Sequence, residues 1–117
     1  TSAEYIEYAA ERVKQCGISE EIRFRKMFGE YMLYAADRPV LLVCDDTVFV
    51  KMLPELESVF GGRAVQKGVP YPGAKEHFIL DIDDGELVRA VVSELVRVTP
   101  VSGSKNKNKK EGQRTEG

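Results

Sequence analysis

The chain has 117 residues, with 43% hydrophobic and 31% charged residues and a formal net charge of −2. That is enough for one domain with its own core, and the sparse use of cysteine excludes a disulfide scaffold. No apolar run approaches the roughly 18 residues that a membrane helix needs. Residues 1–4 also lack the basic start and apolar core of a signal peptide, so the expectation is a cytoplasmic protein with no membrane partner.

Residues 3–16 are predicted to form a helix. Ile6, Ala9, Ala10, Val13 and Cys16 recur at three- and four-residue steps and make one apolar face. Thr1 or Ser2 supplies the cap, with Glu4 completing a capping box from Thr1, and Gly17 ends the helix. Tyr5 and Tyr8 flank the apolar face as half-buried residues. Over residues 22–28 the period changes. Ile22, Phe24 and Phe28 alternate with Arg23, Arg25 and Met27, as in a strand with one buried face. Lys26 interrupts the inner side, which suits an edge strand or a bulge.

Gly29 turns the chain into a second strand, residues 31–36, and Asp37-Arg38-Pro39 reads as the next turn. Residues 40–44 (Val-Leu-Leu-Val-Cys) are apolar at both parities. Such a strand is either covered on both faces or meets a partner with its outer face. Asp45-Asp46 turns the chain again, and residues 47–52 form a fourth strand with Val48, Val50 and Met52 on one face. Short turns between successive strands predict an antiparallel meander.

Residues 54–60 form a short helix that starts at Pro54 and stops at Gly61-Gly62. Residues 63–74, rich in glycine and proline, are expected to be an ordered surface loop. Residues 77–82 form a fifth strand with Phe78, Leu80 and Ile82 inward. Asp83 or Asp84 caps a closing helix over residues 85–98. Its five valines are poor helix formers, so packing must hold it. Residues 102–117 contain no hydrophobic residue and are expected to be a disordered tail. The tail holds five basic and two acidic residues, a net +3, which leaves −5 on the remainder.

The fold class is therefore α+β with two layers. A five-stranded antiparallel sheet is packed by helices in the order α-β-β-β-β-α-β-α, with a domain over residues 1–101 and a tail over 102–117.

The residues with chemical potential each have a plainer explanation. Asp81 to Glu86 resembles a calcium loop but fails in register, because Gly85 falls at the fifth position and Val92 at the twelfth. Gly61-Gly62-Arg63 follows a helix, whereas phosphate loops precede one. His77, the only histidine, lies outward, and a lone imidazole does not make a His-rich metal site. Glu30 has no second carboxylate or base beside it in sequence. Cys16 and Cys44 are read as buried, inert thiols. No catalytic, cofactor or metal residues are assigned. A basic strand of Arg23, Arg25 and Lys26, with Lys105, Lys107, Lys109 and Lys110 of the tail, is a candidate nucleic-acid contact. A solvated strand face is the plainer reading of the strand.

The stretch Arg25-Lys26-Met27-Phe28-Gly29-Glu30-Tyr31-Met32-Leu33-Tyr34 resembles the signature of the N-terminal domain of TfoX/Sxy, the bacterial competence regulator. The likeness continues through Leu42 to Lys51 and resumes at Pro70-Tyr71-Pro72-Gly73-Ala74-Lys75. It spans roughly residues 3–98, and the chain is similar to a short single-domain member. The resemblance implies an α+β domain without known enzymatic activity or cofactor. It also implies action through protein contacts, with a transcription factor as partner in the full-length members. The expected interaction surface, for such a partner or for a second copy in a dimer, is Met27, Phe28, Gly29, Glu30, Tyr31, Tyr34, Val40 and Leu42.

Overall fold

A computed structural model describes residues 3–27, 29–62 and 64–101. Thr1 and Ser2, Phe28, Arg63 and the tail over 102–117 lie outside the described residues. The elements are α1 (Ala3–Lys14), β1 (Ile22–Met27), β2 (Glu30–Ala35), β3 (Arg38–Cys44), β4 (Thr47–Lys51), α2 (Glu55–Phe60), β5 (Lys67–Gly68), β6 (His77–Leu80) and α3 (Gly85–Val98). The architecture is α+β with an antiparallel sheet, as expected, but the sheet has six strands in the order β1-β2-β3-β4-β6-β5.

The sixth strand is β5, in the stretch expected to be a loop. Its two residues pair antiparallel with β6, Lys67 with Phe78 and Gly68 with His77. Gly68 fits closely there: a Cβ would sit 3.2 Å from Ile79 Cδ1, so a larger residue has to displace the end of that side chain. A two-residue strand has no hydrophobic period, so alternation cannot reveal it.

The meander closes through two tight turns. Ala36 and Asp37 (φ 51° and 64°) join β2 to β3, and Asp45 and Asp46 (φ 55° and 54°) join β3 to β4. Paired left-handed residues match the twist of the flanking strands. The first turn thus lies one residue earlier than Asp37-Arg38-Pro39, and Arg38 and Pro39 belong to β3. The Ala36 amide donates to the Glu21 carbonyl at 2.9 Å, which ties this turn to the start of β1.

The apolar run in β3 is explained by a bulge. Leu33 pairs with Leu41 while Tyr34 pairs with Pro39, so Val40 is an extra residue. Val40 (6% exposed) and Leu41 (1%) both enter the core. A bulge also accommodates the missing N–H of Pro39. Val40, expected on an interaction surface, is instead a core residue.

The core lies between one sheet face and all three helices. Ile6, Ala9, Ala10 and Val13 of α1 and Leu56 and Phe60 of α2 join Val88, Val91, Val92 and Leu95 of α3. The sheet contributes Ile22, Leu33, Ala35, Leu41, Val43, Val48, Val50, Phe78 and Leu80. Phe60 meets Phe78 edge to face at 4.8 Å. Asp84 caps α3 by accepting from the Leu87 amide at 3.2 Å. At the other end Arg38 Nε donates to the Val96 carbonyl at 3.0 Å, placing a cation at the negative end of the helix. Tyr8 donates to the Asp83 carboxylate, and Arg12 Nη2 donates to the Asp83 carbonyl at 3.0 Å, so α1 is tied to the entry of α3. Among the described residues no helix is long and apolar enough to cross a membrane.

These placements predict opposite outcomes for two neighbours. Val40→Asp puts an unpaired charge into the core, costs about 3–5 kcal/mol, and abolishes cooperative unfolding in urea. Leu42→Asp, on the other face, leaves the fold intact. Ala36→Asn raises the denaturation midpoint, because asparagine tolerates the left-handed region better than alanine; the gain is about 0.5–1 kcal/mol.

Candidate interaction face

Side chains alternate across a strand, so the register assigns each residue to a face. Partners across the ladder share one. Arg25, Met32, Leu42, Phe49 and Ile79 form a row, one residue per strand, on the face away from the helices. Phe49 and Tyr34 are 6% and 9% exposed, yet neither joins the core packed by the helices. Met32, Pro39, Leu42 and Ile79 are half-buried around them. His77 stands edge-on to Phe49 at 6.3 Å, and its Nδ1 lies 2.8 Å from the Lys75 carbonyl, the arrangement of a protonated Nδ1 donating to an acceptor.

This outer face has two charged ends. At one end Arg23 and Lys51 flank Tyr34, and Arg23 pairs with Asp37. Arg23, Phe24, Arg25, Tyr34 and Asp37 surround a depression of about 480 Å³. The tyrosine hydroxyl has no hydrogen-bond partner among the described residues, and Arg25 has neither an ion pair nor a hydrogen bond there. At the other end lie Glu30, Cys44 and the Asp45-Asp46 turn. Burial, and then the Glu30 carboxylate, push the Cys44 thiol above its ordinary pKa of 9.0.

The expected site residues are split by the fold. Met27, Glu30, Tyr34 and Leu42 share the outer face. Gly29 is exposed in the β1–β2 turn, at φ 85°. Tyr31 lies on the helix side, edge-on to Phe24 at 5.8 Å. Val40 is buried. Of the basic strand, Arg23 and Arg25 face outward while Lys26 pairs with Tyr31 and faces the helix side. Phe28, Lys105, Lys107, Lys109 and Lys110 lie outside the described residues. The two thiols are half-buried and not fully enclosed; Cys16 Sγ donates to the Arg12 carbonyl at 3.2 Å. Met32, inside the expected hairpin, belongs to the face, and so do Phe49 and Ile79, which were not anticipated. Their signal is apolar residues at both parities of β4 and β6, where Phe49 and Ile79 alternate with the inward valines, Phe78 and Leu80. Among the described residues no group of three or more His, Cys, Asp or Glu side chains is placed to hold a metal ion.

Comparison with known proteins gives one informative relative. The "Uncharacterized 12.7 kDa protein in trpE 5'region" of Spirochaeta aurantia is 34% identical over 110 residues, covering 94% of this chain and 92% of that protein. The chain belongs to the same family as that protein. No protein-family model matches the chain, and no solved structure matches it.

The position of Cys44 sets its reactivity. Its raised pKa leaves less thiolate near neutrality than an ordinary thiol has, so iodoacetamide modifies it slowly until the pH passes 9.0. Glu30→Gln removes the larger of the charge effects but not the burial, and speeds alkylation at pH 8 without restoring the rate of a free thiol. By linkage, the stabilisation that accompanies the neutral thiol is fully present below the unfolded-state pKa. It is lost as pH rises through the higher folded-state value. Mass spectrometry of the modified peptide against pH measures the rates.

Proposed function

We propose that this chain is a non-enzymatic protein-interaction domain of the TfoX/Sxy N-terminal kind, acting in the cytoplasm, with the outer face of its sheet as the binding surface. The observation that carries the reading is the apolar row from Met32 to Ile79 on a face that none of the three helices covers. Half-buried apolar side chains gathered at the centre of a face, with charges at its ends, resemble the apolar core and polar rim of a protein interface. The likeness of residues 25–34 to the competence regulator supports a protein partner, either a transcription factor or a second copy. A nucleic-acid role has less support. Arg23 is neutralised by Asp37, and Lys26 faces away from both arginines, so the strand does not present a continuous basic stripe.

The reading predicts where cross-links form. A photo-activated cross-linking residue at Leu42 in host cells gives discrete protein adducts, and one at Glu86, exposed on α3, gives none. Leu42→Glu removes the adducts formed from a probe at Met32. Equal labelling from both faces, or none from either, overturns the proposal. DNA titrations at two salt concentrations are expected to show no binding that depends on Arg23 and Arg25.

A further inference from the structure

We infer that the outer face takes a second copy of this chain, packed sheet to sheet about a two-fold axis that crosses the strands above Met32 and Leu42. The inference rests on the interaction reading and names the partner for the same face.

The strand register sets the levels of the outer face. Arg25, Met32, Leu42, Phe49 and Ile79 lie at one level across the strands. Two residues along the strands in one direction come Arg23, Tyr34, Lys51 and His77. Two residues in the other direction come Met27, Glu30, Cys44 and Thr47. The first end holds Lys51 beside the Arg23–Asp37 pair, a net positive charge, and the second is acidic, extended by the Asp45-Asp46 turn. A two-fold axis across the strands exchanges the ends. It lays the basic end of one copy on the acidic end of the other and keeps the apolar row against itself.

The decisive contact is Tyr34 with Glu30. They flank Met32 on β2 at equal distances, so this axis places Tyr34 of one copy opposite Glu30 of the second copy, and the reverse. Tyr34 is nine-tenths buried, and its hydroxyl has no partner among the described residues. Glu30 neither accepts a hydrogen bond nor forms an ion pair among them. A phenol O–H needs an acceptor when an interface closes over it, and a carboxylate needs a donor. Each copy supplies what the other lacks, and Arg25 stands one strand away, at the rim, to share the same carboxylate. Sheets packed face to face meet at an angle of about 30°, which separates Arg25 from its own copy at that rim.

The alternatives fit less well. An axis along the strands would set Arg25 over Ile79 and Tyr34 over Lys51, leaving Glu30 over Thr47 without a cation. Pairing through the edge of β1 meets Lys26, Arg23 and Arg25, charges of the kind that block strand addition.

The test uses the full chain. Sedimentation equilibrium from the micromolar to the millimolar range is expected to show a dimer. Glu30→Lys, at a half-buried position, weakens it by about tenfold or more while circular dichroism is unchanged, and Tyr34→Phe weakens it less. In a Cys16→Ser, Cys44→Ser background, a bismaleimide matched to the ~10 Å gap between packed sheets links Leu42→Cys to itself. It also links Tyr34→Cys to Glu30→Cys in a mixture, and neither of these alone. A monomer at every concentration, a dimer indifferent to Glu30→Lys, or self-linking by Tyr34→Cys overturns the inference. A monomer whose Leu42 probe still captures a different protein removes self-pairing and leaves the interaction domain standing; loss of both removes both.

Discussion

α3 is a helix because it lies on the sheet. Five of its fourteen residues are valines, each costing a few tenths of a kcal/mol or more relative to alanine in helix propensity. Val88, Val91, Val92 and Leu95 are buried against the strands, and full burial of such a side chain contributes about 1.5–3 kcal/mol. Burial therefore outweighs propensity several-fold, and the helix has little independent stability to lend the fold. Asp84 at its start and Arg38 at its end hold the two termini in place. The Arg38 contact runs from β3 to the last turn of the helix, so the sheet fixes both the face and the end of α3.

That packing is one-sided. α1 and α2 dock on the same side as α3, and the opposite face must meet whatever lies outside. A face destined for water alone would carry polar side chains at every second position. Here the ends of the face do, with Arg23, Lys51 and Glu30, but its centre does not. Phe49 and Tyr34 are largely buried among their neighbours, which lowers the cost of carrying them on a face that no helix covers. Gly68 serves the same arrangement. Its missing side chain leaves room for the ends of Ile79 and Phe49 beside β5.

The parts of this arrangement legible in the sequence are those with a period. α3 has the bounds that its valine spacing and acidic cap indicate, and the meander follows from alternation in β1 and β4 and from the turn signals between its strands. The features that escaped change a period or lack one. The bulge at Val40 turns a strand with one buried face into a continuous apolar run, which makes an inward residue look outward. Pro39 looks like turn chemistry, yet the turn rests on Ala36, whose left-handed backbone no composition rule marks. Phe49 and Ile79 were hidden by their inward neighbours: once Val48 and Val50, or Phe78 and Leu80, account for the core, the opposite parity is easily taken as solvent-facing. Tyr34, Leu42, Glu30 and Met27 were named together with residues of both parities, and it is the strand register that puts these four on one face.

The edges of the sheet sharpen the role of its face. An open strand edge offers unpaired N–H and C=O groups to any passing chain. β1 is such an edge, and only Ile22 in it is buried. Its outward arginines and the Lys26 side chain on the helix side give it charge in both directions, so an added strand would have to cover cations on either face. The other edge, β5, is two residues long, too short to template a partner strand. With both edges closed to backbone pairing, the sheet presents side chains and not open backbone to its surroundings. The cluster of Met32, Leu42, Phe49 and Ile79 lies across the four strands between those edges, with Met32 beside Arg25 of the charged edge strand.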